Sequence, residues 1–210
     1  MTAPPGNLFI ISAPSGAGKT SLVKALLQTG IDLSLSVSYT TRPARAEEVD
    51  GRDYHFISHE DFEQRQKRDD FLESAQVYGN FYGTSKEWIN QAIMAGRDIL
   101  LEIDSQGARQ VRQIFPQAVT IFVLPPSLVA LEIRLRRRAQ DSLEAIGRRL
   151  AAAREEINNV REYDYIIINE KLDHASQELR CIIQAERLRM ARQLARHRDL
   201  ITQLGTLSVP

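Results

Sequence analysis

The stretch that decides the fold runs from Leu8 to Thr20 and reads LFIISAPSGAGKT. An apolar, β-prone run leads into a turn rich in glycine and proline, and the following residues carry apolar side chains at helical spacing. The stretch therefore predicts a strand, a loop and a helix in direct succession. Gly18, Lys19 and Thr20 match the second half of the pattern G-x-x-x-x-G-K-[ST], with Ala13 in place of its first glycine.

This loop has the chemistry of a site for nucleotide phosphates. Gly16 and Gly18 allow backbone N–H groups to turn toward a polyphosphate, and the start of the helix adds a positive dipole end. Lys19 can reach the β- and γ-phosphates, and the Thr20 hydroxyl can ligate Mg²⁺. The alternative is an ordinary glycine-rich turn at the start of a helix. The position of the loop directly between a strand and a helix favours the phosphate site.

Strands and helices alternate over most of the remaining chain. Strands are predicted at ILLEI from Ile99, VTIFVL from Val119 and YIIIN from Tyr165, with helices between them and a long terminal helix from about Asp173. This alternation predicts an α/β fold, a parallel sheet with helices on both faces. The stretch from Ser38 to Ser85 has short strands and little apolar periodicity, so we expect it to form a small inserted domain.

Composition narrows the function further. The 210 residues include 27 basic and 27 acidic side chains, which gives a formal net charge of zero and disfavours a general nucleic-acid-binding protein. No apolar run approaches the roughly 20 residues of a membrane span, and the start MTAPPGN does not resemble a signal peptide. We therefore expect a cytoplasmic protein without a membrane partner. The four histidines show no metal-ligand spacing.

Eight motifs follow one another along the chain: APSGAGKT, SYTTRPAR, GRDYHF, FLESAQVYGNFYGT, LEIDSQGARQVR, PPS, RLRRRAQDS and YIIINE. In this order and spacing they resemble bacterial guanylate kinase, a nucleoside monophosphate kinase that transfers the γ-phosphoryl group of Mg·ATP to GMP. The resemblance implies a P-loop NTPase core, an inserted GMP-binding subdomain and a helical lid. The implied core comprises residues 1–37, 87–126 and 160–210, the GMP-binding insertion residues 38–86, and the lid residues 127–159.

The resemblance also implies two nucleotide sites. The ATP site would comprise Ala13, Pro14, Ser15, Gly16, Ala17, Gly18, Lys19, Thr20, Ser21 and Asn169. The GMP site would comprise Ser38, Arg42, Arg45, Tyr54, Glu73, Tyr82, Thr84 and Asp104.

The chemistry of the implied GMP residues suits their ligand. Two guanidinium groups and two phenols can satisfy a dianionic phosphate. A carboxylate such as Glu73 can accept hydrogen bonds from the adjacent N1–H and N2–H groups of guanine, a pair that adenine does not offer. The hydroxyls of Ser38 and Thr84 can act as donors or acceptors toward the remaining edge of the base.

The resemblance assigns catalysis mainly to arginines. The implied catalytic residues are Lys19, Arg42, Arg134, Arg138 and Arg149. Residues 134–149 include six arginines and only two acids. Such a concentration of positive charge would stabilise charge on a transferring phosphoryl group. Thr20 is the expected Mg²⁺ ligand. Glu102, which stands where the family usually has aspartate, is a second candidate that could instead contact GMP.

The chain departs from the family pattern at three further places. Ala13 replaces the first glycine of the loop, Glu47 replaces the glycine of the PRxGE element, and Arg137-Arg138-Ala139 stands where a Gly-Arg-Gly turn is usual.

Two other functions remain open at this point. A related P-loop kinase could act on a ribose phosphate, but it would not need Glu73, Ser38 and Thr84. A non-catalytic guanylate-kinase-like module could bind phosphopeptides, but such modules lack a working P-loop. The expected partners are ATP and GMP or dGMP, without a nucleic-acid polymer, and the chain could act as a monomer or a homo-oligomer.

Overall fold

The computed structural model describes residues 4–77, 79–138 and 143–205; at 137, 138 and 143–145 it describes the backbone alone. The elements are β1 (Leu8–Ser12), α1 (Lys19–Gln28), β2 (Ser34–Leu35), β3 (Tyr39–Thr40), β4 (His55–Phe56), α2 (His59–Lys67), β5 (Phe71–Val77), β6 (Asn80–Ser85), α3 (Lys86–Met94), β7 (Ile99–Glu102), α4 (Ser105–Ile114), β8 (Val119–Leu124), α5 (Leu128–Arg138), α6 (Leu143–Asn158), β9 (Tyr165–Ile168), α7 (Leu172–Arg187), α8 (Met190–Arg196) and α9 (Arg198–Leu204).

Five parallel strands form the main sheet, in the order β2, β7, β1, β8, β9. The side chains of β1 alternate between the two faces. Phe9 and Ile11 join a core beneath α1 and α7, whereas Leu8 and Ile10 join a second core beneath α3 and α4. The parallel sheet with helices on both faces, predicted from the alternating pattern, is confirmed.

A second sheet, in the order β4, β3, β6, β5, is built from the stretch that breaks the alternation. Its small core is aromatic. Phe62 of α2 is fully buried and stacks on Phe71 and Phe81, with ring centroids 4.5 and 5.4 Å away. Helix α2 begins after Ser58, whose hydroxyl accepts the Asp61 N–H at 3.0 Å.

Helices α5 and α6 pack together above the loop that follows β1. Leu131 and Leu135 of α5 are buried against Ala153 and Leu150 of α6. Gly16 lies under this pair at φ +90°, where an added Cβ would stand 2.9 Å from Leu135 Cδ2. Only glycine therefore suits this position, because a side chain would strain the backbone and collide with α5.

Two elements are shorter than the sequence pattern indicates. The alternation of apolar and small polar residues in LSLSVS (33–38) indicates a strand, but the strand is limited to Ser34–Leu35, because the chain leaves the main sheet there and pairs next, at Tyr39, in the second sheet. The terminal helix breaks into α7, α8 and α9 at residues near Arg189 and His197. Past Arg187 no helical residue is buried among those described, so packing no longer favours one continuous helix.

Within the described residues, no helix is both long and apolar enough to cross a membrane.

The aromatic core of the second sheet yields a stability prediction. Phe62→Ala should lower the free energy of unfolding by about 3–5 kcal/mol, because it leaves a cavity between Phe71 and Phe81. Phe62→Leu fills much of that volume and should cost clearly less. Urea denaturation of the two variants and the parent measures the difference, and equal losses for both variants would contradict the role of ring volume.

Candidate functional site

The loop between β1 and α1 is anchored from two distant parts of the chain. The amide of Asn169, just after β9, donates a hydrogen bond to the Ala17 carbonyl at 2.8 Å. Arg134 of α5 donates to the same carbonyl at 3.2 Å and to the Asn169 carbonyl at 2.7 Å. Gly18 lies at φ +94°, and a Cβ there would stand 2.5 Å from the Asn169 amide nitrogen. The loop is therefore held in one shape before any ligand arrives.

The first residues of α1 connect the loop to the end of β7. The Lys19 ammonium donates to the Ile103 carbonyl at 3.0 Å, and the Thr20 hydroxyl donates to the Glu102 carboxylate at 2.5 Å. These contacts arise because β1 and β7 are adjacent parallel strands, so their carboxyl ends lie side by side. In an open α/β sheet this edge is where ligands bind.

A cleft of about 260 Å³ opens at this edge and extends to the second sheet. On the loop side it is lined by Ala13, Pro14, Ser15, Gly16, Gly18, Lys19 and Thr20. Toward the second sheet it is lined by Ser38, Arg45, Tyr54, Glu73 and Tyr82, and at the end of β7 by Asp104. Most of the residues implied for the two nucleotides therefore share one cleft, although they are distributed over two sheets.

The remaining implied ATP residues lie around the loop. Ser21, Asn169 and Arg134 line a second cavity, of about 330 Å³, on the other side of Gly16 and Gly18. Ala17 is fully buried and presents its carbonyl to the two anchoring side chains.

Glu73 is a buried carboxylate at the far end of the cleft. Its side chain accepts a hydrogen bond from the Thr84 hydroxyl at 2.6 Å, and both residues are almost fully buried. Burial raises the pKa of Glu73 to about 7; the Thr84 hydrogen bond opposes the rise, and the charge of Asp104 adds to it. Thr84 does not line the cleft and acts on it through Glu73.

Asp104 and Gly107 shape the space around Glu73. Asp104 caps α4 by accepting the Gly107 N–H at 2.9 Å. A Cβ at Gly107 would stand 2.4 Å from the second carboxylate oxygen of Glu73. The absence of a side chain at Gly107 thus makes room for the buried carboxylate.

Arg42 is paired with an acid of its own loop. One of its terminal nitrogens donates to both carboxylate oxygens of Glu48, at 2.8 and 2.9 Å, and the other donates to the Pro43 carbonyl at 2.7 Å. Its guanidinium also lies 5.4 Å from the ring centre of Tyr54. Arg42 is the implied phosphate ligand that does not line the cleft, whereas Arg45 and Tyr54 do.

Tyr54 is equipped to donate a hydrogen bond into the cleft. Burial raises its pKa to about 12, with a smaller contribution from the charge of Glu102. The phenol therefore remains protonated at neutral pH, as a donor to an anionic ligand must.

The helical pair contributes two charged residues of α6 to the cleft. Arg149 and Glu156 both line it. Glu156 is partly buried, and burial raises its pKa to about 7, with the charge of Asp104 acting in the same direction and Lys19 opposing. The side chain of Arg138, an implied catalytic residue, lies outside the described part of the chain, as does Ala139 of the altered turn.

Two of the departures from the family pattern have a simple backbone basis. Among the described residues, Asp69 is the one non-glycine residue with a positive φ. Ala13 and Glu47 therefore occupy backbone conformations that any L-residue adopts, and glycine is not required at either place.

Sequence reasoning missed two residues of the site, Glu48 and Glu156. Glu48 follows directly on Glu47, and its pairing with Arg42 depends on how the loop folds back over six residues. Glu156 belongs to a pair of adjacent glutamates on α6, and the sequence does not indicate which of them faces the cleft. Helical spacing from Arg149 was the available signal, since residues seven apart share a helix face.

The raised pKa of Glu73 predicts a stability change with pH. Between about pH 4.5 and 7 the folded state binds more protons than the unfolded state, so the free energy of unfolding should fall as pH rises through this range. Glu73→Gln removes the contribution of Glu73 to this dependence, so its free energy of unfolding should rise by roughly 3 kcal/mol relative to that of the parent between pH 5 and 8. Urea denaturation at both pH values measures the gain.

Glu63→Gln, at an exposed position of α2, is the matched control and should follow the parent at both pH values. A Glu73→Gln curve parallel to that of the parent would contradict the raised pKa.

Comparison with known proteins gives a consistent result. The sequence profile of the family described as "Guanylate kinase" matches residues 5–186. The guanylate kinase of Nitrosospira multiformis is 72% identical over 209 residues and covers 100% of both chains. That of Nitrosomonas europaea is 55% identical over 198 residues, which cover 94% of this chain and 98% of the relative.

A solved structure agrees with these sequence matches. The crystal structure of guanylate kinase from Anaplasma phagocytophilum superposes with a TM-score of 0.76 at 31% identity, covering 96% of each chain. The profile and the relatives each extend over most or all of the sequence. The chain belongs to the guanylate kinase family.

Proposed function

We propose that this protein is an ATP:GMP phosphotransferase, which transfers the γ-phosphoryl group of ATP to GMP or dGMP and releases ADP and GDP or dGDP. The observation that carries the proposal is the presence, in one cleft, of a phosphate-binding loop with Lys19 and of the buried Glu73–Thr84 pair. The first suits the polyphosphate of the donor and the second suits guanine. The family and its named relatives support the same reaction.

The donor ATP would bind around the loop. Backbone N–H groups at the start of α1 and the Lys19 ammonium would hold its β- and γ-phosphates. The cavity beside Asn169 and Arg134 would take the adenosine part, because it adjoins the opposite face of the same loop. Ligand binding need not order the loop, since Asn169 and Arg134 already anchor its backbone.

The acceptor base would bind against Glu73. In its ionised form this carboxylate can accept both the N1–H and N2–H groups of guanine, while the Thr84 hydroxyl fixes its orientation. Adenine offers no such pair, so an adenine nucleotide would leave a buried carboxylate without donors. Sites that reject a ligand in this way discriminate by about 10⁴-fold or more.

The acceptor phosphate would bind between Arg45, Tyr54 and Tyr82. Arg42 would join these residues by exchanging part of its contact with Glu48 for the phosphate. The phosphate is a dianion and therefore a stronger partner for a guanidinium than a carboxylate is. Such a clamp would hold one phosphate oxygen of GMP in line with the γ-phosphorus. In the reaction a bond forms between these two atoms, the bond from the γ-phosphorus to the β–γ bridging oxygen breaks, and ADP leaves with that oxygen.

Charge that develops on the transferring group would be stabilised by cations on several sides. Lys19 approaches from the loop and Arg149 from α6, and both line the cleft. We include Arg134, Arg138 and Arg42 in this proposed catalytic set. Phosphoryl transfer depends mostly on positioning and charge stabilisation, so a site without a histidine is sufficient.

The residues next to Lys19 also suit Mg²⁺. A hydroxyl and a carboxylate are hard oxygen ligands, and Thr20 and Glu102 already lie within hydrogen-bond distance of each other at the loop. Mg²⁺ usually takes only one or two protein ligands and completes its shell with phosphates and water. We propose that Thr20, supported by Glu102, holds the ion, which when bound neutralises charge on the β- and γ-phosphates.

We further propose the three-part division into a core (residues 1–37, 87–126 and 160–210), a GMP-binding insertion (38–86) and a lid (127–159). The separate sheet and aromatic core of the insertion support it, as does the small core between α5 and α6. We expect the protein to act in the cytoplasm, where its proposed nucleotide substrates are found. Its proposed partners are small molecules rather than nucleic acids or membranes.

A coupled assay of ADP release tests the function directly. We expect turnover with Mg·ATP and GMP or dGMP, and little or none with AMP, CMP, UMP or a ribose bisphosphate. Activity on the ribose compound without activity on GMP would refute the proposal. The absence of turnover with every acceptor would favour a binding module instead.

Lys19→Ala should lower kcat by about 10²- to 10³-fold, because it removes a cation that stabilises the transferring phosphoryl group. Lys24→Ala, on an exposed face of the same helix, is the matched control and should leave kcat unchanged. Steady-state assays at saturating ATP and GMP measure both. A similar kcat for the two variants would contradict the assignment of Lys19.

Glu73→Gln should damage base selection rather than chemistry. Kinetic comparison of GMP, IMP and AMP should show kcat/KM for GMP falling by about 10²-fold or more. IMP lacks the N2–H group and should lose less. Glu63→Gln makes the same chemical change at an exposed site and should behave as the parent. Unchanged selectivity in Glu73→Gln would refute the proposed role of this carboxylate.

A further inference from the structure

Helix α6 presents a regular stripe of side chains to the cleft. Arg149, Ala153 and Glu156 are spaced by four and three residues, so they share one helix face. Ala153 is 1% exposed and packs in the small core with Leu131 and Leu135 of α5. The face of α6 that packs on α5 therefore also carries Arg149 and Glu156, which line the cleft. These two residues lie about 10 Å apart along the helix axis.

Glu156 differs from the other acids of the cleft in lacking a partner. Glu73 accepts the Thr84 hydroxyl, Glu102 accepts the Thr20 hydroxyl, and Asp104 accepts the Gly107 N–H. In the part of the chain that the structure describes, Glu156 forms no hydrogen bond or ion pair. It is partly buried, and its charged neighbours are Asp104 and Lys19. A partly buried carboxyl group in this position is free to accept hydrogen bonds from donors on a bound ligand.

The donors that bound GMP offers are few. Glu73 takes the N1–H and one N2–H of guanine and holds the second N2–H at the same end of the cleft, and the phosphates are acceptors whose charge repels a carboxylate. The hydroxyl groups of the ribose remain, and they lie between the base held at Glu73 and the phosphate held at Arg45 and Tyr54. Glu156 lines the same cleft from α6, and its charged neighbours are Asp104 and Lys19. Asp104 is also a charged neighbour of Glu73, so Glu156 lies between the base end of the cleft and the phosphate loop, within reach of a ribose.

We propose that Glu156 accepts a hydrogen bond from a ribose hydroxyl of the bound GMP and determines specificity for the sugar of the acceptor. This inference rests on the proposed function, since it requires GMP in the cleft. It assigns two tasks to one face of α6. Arg149 contacts the transferring phosphoryl group, and Glu156 recognises the acceptor nucleoside, so the helix contacts both substrates of the reaction.

Kinetic comparison of GMP with its 2′-deoxy and 3′-deoxy analogues tests the proposal. In Glu156→Gln at pH 8, where the parent carboxyl group is mostly ionised, kcat/KM for GMP should fall about tenfold, because a charge-assisted hydrogen bond becomes a neutral one. For the analogue that lacks the partner hydroxyl, the fall in kcat/KM from parent to variant should be at least five times smaller than the fall for GMP. Glu156→Ala should rank the three acceptors in the same way, with a larger fall in kcat/KM for each. Ratios between substrates in one preparation do not depend on how much of the variant is folded.

Glu155→Gln is the matched control, because Glu155 is the adjacent glutamate and is exposed. It should leave all three kcat/KM values unchanged. Equal losses for the three acceptors in both Glu156 variants, or no loss at all, would overturn the proposal. A parent enzyme that does not phosphorylate GMP would instead refute the proposed function, so the two failures are distinguishable.

Discussion

Parallel pairing of β1 with β7 and β8 is the constraint on which the site depends. Because the three strands run in the same direction, the residues that follow them emerge at one edge of the sheet. Lys19 meets the end of β7 there, and Asn169, after the neighbouring β9, meets the loop. Residues separated by up to 152 positions thus fix a single backbone loop. The anchored loop is preorganised, so binding does not have to order its backbone.

The cleft contains both cations and acids, and they lie in different parts of it. Cations gather where phosphates would bind, with Lys19 and Arg149 on the donor side and Arg45 on the acceptor side. Of the acids, Glu102 lies beside the loop, whereas Glu73 and Glu156 both lie near Asp104, whose charge raises the pKa of each. The zero net charge of the chain conceals this segregation. Burying carboxylates near each other destabilises the free protein, and donors on a correct ligand would offset that cost.

The pair formed by Arg42 and Glu48 gives the acceptor side a further property. Burial would raise the pKa of Glu48, but hydrogen bonds from Arg42 and the Arg45 backbone outweigh it and lower the pKa. Glu48 therefore remains an anion at neutral pH and keeps the Arg42 guanidinium paired. A largely buried cation without such a partner would be costly, so the loop supplies its own anion for Arg42.

The sequence by itself determined the α/β class, the phosphate loop, the inserted unit and the chemical types of most residues in the cleft. These follow from local patterns, such as the run LFIIS before APSGAGKT, and from the order of the family's motifs. Only the tertiary structure decided that Glu156 rather than Glu155 faces the cleft, that Glu48 holds Arg42, and that the terminal helix breaks after Arg187. The reason is physical: each of these outcomes depends on which distant surfaces pack together, and local periodicity carries no information about that packing.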